Sequence, residues 1–259
     1  MTLSSFVTKR IEDALEACPG PDAAASETMR TRAGQVLRPA GALHELDELA
    51  VWYGGWRRRA KLVEACQVLI FAGDHGVARQ GISAYPAEVT GAMKAAIERG
   101  QATSTALAAA NGACLSFVDV GVGRPTDDFT QHDAMDRDRF LDAWKAGERA
   151  VQDIEPADVL ILGELGIGNT TSAAAVAAGV IGGSGVDWVG RGTGVDDDGL
   201  ARKASVVDLG LVRLSDRRSH PSEVLAALGG TELVAMAGAA IEARRLSIPM
   251  ILDGFIATA

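Results

Sequence analysis

Gly163-Glu164-Leu165-Gly166-Ile167-Gly168-Asn169-Thr170-Thr171 follows directly on an apolar run, Val159-Leu160-Ile161-Leu162, and leads into an alanine-rich helical pattern. Strand, glycine turn and helix in that order leave the first backbone N–H groups of the helix without partners, aimed at an anion. The stretch has the GxxxxGK[ST] spacing of a nucleoside-triphosphate loop, but Asn169 stands where the lysine belongs. That lysine neutralises the outer phosphates. Its absence points to a ligand with fewer charges, and a ribonucleotide monophosphate is the first expectation.

Outward from this turn, short β-rich apolar runs alternate with longer helical patterns from Gln67 onward. The runs are Val68–Ala72, Leu115–Val120, Val159–Leu162 and Met250–Leu252, with a weaker candidate at Val186–Val189. This alternation predicts an α/β fold: a Rossmann-like three-layer arrangement of a central parallel sheet wrapped by helices. Phe140, Trp144, Gly147 and Val151 share one helical face, as do Leu233, Met236, Ala237, Ala240 and Ile241. Four strand ends carry a carboxylate beside a glycine: Asp74, Asp119, Glu164 and Asp253. At the carboxyl edge of an open sheet such groups can line a ligand site, or they can simply make turns and helix caps. Four ends of one kind favour the site.

Residues 1–60 read differently. An amphipathic opening from Phe6 to Leu15 is broken at Cys18-Pro19-Gly20-Pro21 and again at Pro39-Ala40-Gly41, after which Leu43, Leu46, Leu49 and Ala50 recur at helical spacing. The expected organisation is a small helical subdomain over 1–60 and an α/β nucleotide-binding domain over 61–259.

Composition narrows the function classes. The chain has 259 residues, 47% of them hydrophobic, enough for a sizeable core. A net charge of -9 argues against nucleic acid or an anionic membrane as the main partner, since both require clustered cations. Lys9, Arg10, Glu12 and Asp13 interrupt the opening helix, so it is no signal peptide, and no apolar run reaches the roughly 20 residues of a membrane span. Cys18, Cys66 and Cys114 form no CxxC pair and read as reduced cytoplasmic thiols, Cys114 as a buried strand residue. His44, His132 and His220 lack metal-ligand spacing. Asp196-Asp197-Asp198 reads as a loop and helix cap before Leu200 rather than a magnesium site. Trp52, Trp56, Trp144 and Trp188 read as packing residues, and Met236 as core. No metal or cofactor is expected. A dehydrogenase reading fails because the glycine turn lacks the last glycine of GxGxxG.

Four blocks taken together carry a resemblance. They are Phe71–Thr90 (FAGDHGVARQGISAYPAEVT), Gly163–Ala175 (GELGIGNTTSAAA), Gly190–Lys203 (GRGTGVDDDGLARK), and the stretch from Leu228 to Ala259 that begins LGGTELVAMAGA and ends IPMILDGFIATA. In this order they resemble the CobT family of nicotinate-nucleotide–dimethylbenzimidazole phosphoribosyltransferases, from about Leu37 to the last residue. The resemblance implies transfer of phosphoribose from nicotinate mononucleotide to dimethylbenzimidazole, giving nicotinate and α-ribazole phosphate for the lower ligand of cobalamin, by a cytoplasmic homodimer. It places Gly163, Gly166, Gly168, Asn169, Thr170, Thr171 and Lys203 around the nucleotide and its phosphate, and Glu164 near ribose and base. Asp74, His75, Ser83, Tyr85 and Glu88 would line the aromatic base pocket. His75 could act as a general base beside Asp74, or hydrogen-bond and brace its loop.

Two departures accompany the resemblance. The stretch from Arg124-Pro125-Thr126 to Ala134-Met135 is short and lacks the family's GTxN-like loop. The family also carries a further C-terminal segment with an RLGEGTGA-like motif, whose glutamate is its general base; no such motif occurs here. If the chain is complete as written, Glu164 is the carboxylate expected to take the proton, and a small subdomain without its C-terminal part is expected to be less stable than a full-length relative. The alternative is a catalytically weak or inactive relative, or a fragment, that binds the nucleotide or a benzimidazole.

Overall fold

A computed structural model describes residues 3–18, 20–39, 41–154 and 156–259. Of the two N-terminal breaks read from the sequence, Pro19 and Ala40 lie outside the described residues.

Three helices open the chain: α1 (Leu3–Ala17), α2 (Ala23–Gln35) and α3 (His44–Arg57). Then come β1 (Cys66–Gly73), α4 (Val89–Glu98), α5 (Thr103–Ala110), β2 (Cys114–Gly121), α6 (Arg137–Asp153), β3 (Val159–Leu165), α7 (Asn169–Ile181) and α8 (Gly185–Trp188). The remainder is α9 (Asp197–Leu214), α10 (Pro221–Leu228), α11 (Thr231–Arg245), β4 (Met250–Ile251) and α12 (Phe255–Thr258). Short 3-10 turns cover Gly76–Gln80 and Ser215–Ser219.

The four strands form one parallel sheet in the order β2-β1-β3-β4, with Phe71 opposite both Val118 and Glu164. The chain leaves β1 towards β2 on one side and returns to β3 on the other. Strand order therefore reverses between β1 and β3, where open α/β sheets place their ligands. The side-chain period of two divides β1 between the layers. Leu69 and Phe71 are buried with Leu160, Leu162 and residues of α6, α7 and α11, whereas Ile70 meets Ile97 of α4 and Ala102 ahead of α5.

Helix α7 is sunk into the protein, with Ala173, Ala174, Ala175, Ala177 and Ala178 fully buried. Small side chains on every face let neighbours approach it from all sides, and α9 and α10 close one flank through Val207, Leu211, Leu214, Val224 and Leu228. Helices α6 and α11 approach still more closely. A Cβ on Gly147 would lie 1.9 Å from the Ala235 carbonyl oxygen, and one on Gly238 would lie 2.4 Å from that of Trp144. The predicted α6 face of Phe140, Trp144, Gly147 and Val151 is buried as expected, and so is Met236.

Val7 of α1 is buried against Phe140, Trp144 and Val234, while α2 and α3 pack on each other. The chain between α3 and β1 is clamped by Asp158. This buried carboxylate accepts from the Glu64 and Ala65 amides at 2.9 and 3.0 Å and pairs with Arg57 and Arg59.

Several expectations are corrected. Val186–Val189 is not a strand: Ser184 and Asp187 cap each other in a reciprocal box, and the residues turn into α8. Cys114 is exposed rather than buried, because β2 is the edge of the sheet and Cys114 begins it. Leu43, Leu46 and Leu49 do open and line α3, but they face outwards. With the exposed Trp52, Leu46 and Leu49 border a groove of about 890 Å³ that reaches Met250 and Ile251. Trp52 is therefore no packing residue, whereas Trp144 is buried and Trp56 lies under the Arg244 guanidinium at 4.6 Å.

Candidate active site

The glycine turn after β3 forms as its spacing predicts. Gly168 takes φ +98°, a left-handed conformation open to glycine at little cost, and serves as the N-cap of α7. Gly166 is held by close contact instead: a Cβ there would lie 2.4 Å from the Gly73 carbonyl oxygen and 3.3 Å from the His75 ring. Thr90, fully buried, accepts from the Ile167 amide at 3.1 Å and ties the turn to α4. The Asn169 amide closes the turn on Gly166 O at 3.2 Å, and its side-chain amide donates to Glu164. Thr170 is partly exposed at the mouth, whereas Thr171 is fully buried in α7.

Lys203 comes to this turn from α9. Only 1% exposed, it donates from Nζ to Thr170 Oγ1 at 3.0 Å and to Gly190 O at 2.7 Å. Both acceptors are neutral, and among the described residues no carboxylate pairs with it. Burial pushes its pKa down from the ordinary lysine value. A cation placed this way, one residue into a helix N-terminus, is a half-built anion site. A Cβ on Gly192 would crowd Nζ at 2.9 Å, so the loop before α9 leaves that side clear only with glycine.

Glu164 sits at the other end of the same turn, partly buried and hydrogen-bonded by Asn169. Its pKa is pushed up to about 7, first by burial and then by the like charge of Glu232; the Asn169 bond and His75 act in the opposite sense. A carboxylate that exchanges its proton near neutrality can take one from a reacting group at working pH.

His75 is brought under the turn rather than into its mouth. Its side chain is wholly inaccessible, with Nδ1 3.0 Å from Ser172 Oγ and Nε2 2.7 Å from Glu232 Oε1. The bracing role weighed from the sequence is the one this geometry supports. Asp74 Oδ2 accepts from the Gly123 amide at 2.7 Å, joining the ends of β1 and β2.

The base-loop residues are more dispersed. Ser83 Oγ lies 3.0 Å from Thr193 Oγ1, and the Ala84 amide donates to the same threonine at 2.9 Å. Thr193 so fastens the Ser83–Pro86 loop to the segment carrying Gly190 and Gly192. Tyr85 and Glu88 are exposed. Of the four strand-end carboxylates, Asp119 caps its own turn through the Gly121 and Val122 amides, and Asp253 is exposed. Glu164 alone lies on the glycine turn. Asp196 caps α9 through the Gly199 amide at 2.8 Å, as expected, and Asp197 pairs with Arg191.

Sequence reasoning missed Thr90, Ser172, Thr193 and Glu232. All four lie inside the blocks that carry the resemblance, yet nothing in the spacing of Thr90, Ser172 and Thr193 signals a partner 77 to 110 residues away. Glu232 was readable only as an acidic first turn of α11.

Comparison with known proteins identifies the family. The phosphoribosyltransferase family model DBI_PRT matches residues 18–259. A protein of Ruegeria pomeroyi named nicotinate-nucleotide–dimethylbenzimidazole phosphoribosyltransferase is 51% identical over 251 residues, 96% of this chain and 74% of that protein. One of the same name from Roseobacter denitrificans is 48% identical, covering 100% of this chain and 76% of the relative. Among solved structures, CobT from Thermus thermophilus superposes with a TM-score of 0.84 at 37% identity, over 90% of this chain and 75% of that one. The chain thus belongs to the DBI_PRT family of phosphoribosyltransferases.

Proposed function

We propose that this protein transfers phosphoribose from nicotinate mononucleotide to dimethylbenzimidazole, releasing nicotinate and forming α-ribazole phosphate. The observation that carries the reading is Lys203: a buried cation whose partners among the described residues are neutral, set against Thr170 at the N-terminus of α7. A phosphomonoester at that point supplies the missing counter-charge. Gly163, Gly166, Gly168, Asn169 and Thr170 hold the nucleotide there, with Thr171 packing behind them. The named relatives, about half identical to this chain, support the choice of substrates.

The chemistry asks little of the protein. The pyridinium nitrogen is already cationic, so nicotinate departs with the electron pair of its bond to the ribose carbon and needs no proton. An unprotonated nitrogen of the benzimidazole forms the new bond to that carbon, and the proton on its other nitrogen must be accepted. Glu164 takes that proton, and its charge also favours the positive character developing on the ribose. Fixing base and ribose side by side contributes the remainder. The Ser83–Pro86 loop, with Asp74, Ser83, Tyr85 and Glu88, borders the base, and Thr193 keeps this loop beside the nucleotide segment. His75 supports the turn from below.

We further propose a homodimer working in the cytoplasm, a reading supported by the free thiols Cys18, Cys66 and Cys114. Among the described residues no helix is long and apolar enough to cross a membrane. The reaction is tested by nicotinate release from nicotinate mononucleotide with and without dimethylbenzimidazole. Base-dependent release is expected; its absence would refute the transferase reading.

A further inference from the structure

Two contacts join the Ser83–Pro86 loop to the stretch of chain that ends at Lys203. Thr193 Oγ1 accepts from the Ala84 amide at 2.9 Å and lies 3.0 Å from Ser83 Oγ, which accepts in turn from the Tyr85 amide at 3.1 Å. Further along, Arg202 of α9 donates from Nη1 to Gly81 O at 2.8 Å. Gly81 takes φ +67°, and the arginine passes beside it, so that a Cβ there would be 3.6 Å from Nη1. One contact thus holds the approach to the loop and the other its first residues.

The stretch behind these contacts is braced within itself. The Gly194 and Val195 amides donate to Arg191 O at 2.9 and 3.1 Å, and Arg191 Nη1 donates to Val195 O at 3.0 Å. Val195 is buried, and Asp196 then caps α9. Lys203 closes the unit by donating to Gly190 O at 2.7 Å, and a Cβ on Gly192, the neighbour of Thr193, would lie 2.9 Å from Nζ. An anion that draws on Lys203 therefore acts beside Thr193. The hydroxyl is specific too. Thr193 and Ser83 each spend a lone pair on a backbone amide, so one hydroxyl proton lies between the two oxygens and each group fixes the direction of the other.

We propose that Thr193 and Arg202 are positioning residues that couple the two halves of the site: with a phosphomonoester at Lys203 they hold the Ser83–Pro86 loop in place for the base, so nucleotide and base bind cooperatively. The proposal rests on the reading of this loop as the border of the base pocket. Neither residue meets substrate. Thr193 aims the Ser83 hydroxyl, and Arg202 fixes the backbone at Gly81 from which the loop departs. The coupling is reciprocal, each ligand tightening the other by the same factor. A bound nucleotide thereby recruits its own acceptor, whereas the base alone is held loosely.

The test is calorimetric titration of the full chain with dimethylbenzimidazole, with and without saturating ribose 5-phosphate, a phosphomonoester that has no nicotinate to lose. In the parent the sugar phosphate is expected to tighten the base about 5- to 10-fold. In Thr193→Val, which keeps the shape and loses the hydroxyl, the factor is expected to fall to about one, and Thr193→Ser is expected to restore it. Arg202→Met, which keeps the stem, is expected to reduce the factor from the other side, and it decides the matter if Thr193→Val does not fold. Affinity for ribose 5-phosphate alone is expected to stay at the parent level, since Lys203 and the glycine turn are untouched. An undiminished factor in the variants overturns the proposal, as does a sugar-phosphate affinity that falls as far as that of the base, which would assign both residues to the scaffold. A parent that binds the base without regard to the sugar phosphate removes the coupling and leaves the transferase reading standing. A parent that binds neither ligand removes both.

Discussion

Lys203 Nζ lies 3.0 Å from the Thr170 hydroxyl, joining α9 to the first turn of α7, and among the described residues no carboxylate pairs with it. Burial disfavours the charged form of an ammonium group held this way, and an anion bound beside it would relieve that cost.

Lys203→Met is therefore expected to act in two opposite directions. Nucleotide affinity should fall about 10- to 100-fold, the worth of a charge-assisted hydrogen bond to phosphate. The free protein should melt no lower than the parent, because a buried charge has been replaced by an apolar chain of similar length. Isothermal titration with nicotinate mononucleotide and a thermal melt check the two halves. A large loss of stability with unchanged affinity would assign Lys203 to the scaffold.

Gly166→Ala is expected to damage the turn. The added methyl would meet the Gly73 carbonyl oxygen at 2.4 Å, and backbone cannot swing aside as a flexible side chain can. A loss of roughly 1–3 kcal/mol is expected, together with weakened nucleotide binding. Urea unfolding measures the first and titration the second. Wild-type values for both would show that the β1 and β3 ends are not in this contact in solution.

The sheet was legible in the sequence because its strands are short apolar runs ended by glycine, and all four form where the runs lie. The glycine turn was legible for a related reason: few local sequences can follow a strand, turn sharply and start a helix. Local pattern did not reveal which faces meet. Val186–Val189 is β-rich in composition, but the Ser184–Asp187 capping box outweighs that preference. Leu43, Leu46 and Leu49 have helical spacing without a core to meet, and spacing cannot tell the two situations apart. In the site, Lys203 was found through resemblance rather than chemistry, since a lysine on a helix is ordinarily exposed. Glu232 and Ser172 matter through contacts spanning 157 and 97 residues, which only the folded chain creates.

The raised pKa of Glu164 has a consequence for stability. In the folded protein the group keeps its proton up to about pH 7, against an ordinary value of 4.5. Between those values the folded state binds more protons than the unfolded state, so this group lowers stability as pH rises through the window. Below it there is no penalty, and above about pH 7 the penalty is complete. Glu164→Gln removes the slope. Its stability advantage over the parent should grow by up to roughly 2 kcal/mol from about pH 4.5 to about pH 8, allowing for solvent at the carboxyl. Urea unfolding at a series of pH values checks this, and parallel curves would show that Glu164 titrates normally.

The most direct single measurement is nicotinate release from nicotinate mononucleotide by the purified chain and by Glu164→Gln, each with and without dimethylbenzimidazole. Release that requires the base, with a rate roughly 10²- to 10⁴-fold lower in the variant, is the expected result for a transferase whose proton acceptor is Glu164. Equal base-dependent rates in the two proteins would contradict that assignment, and release indifferent to the base would contradict the transfer itself.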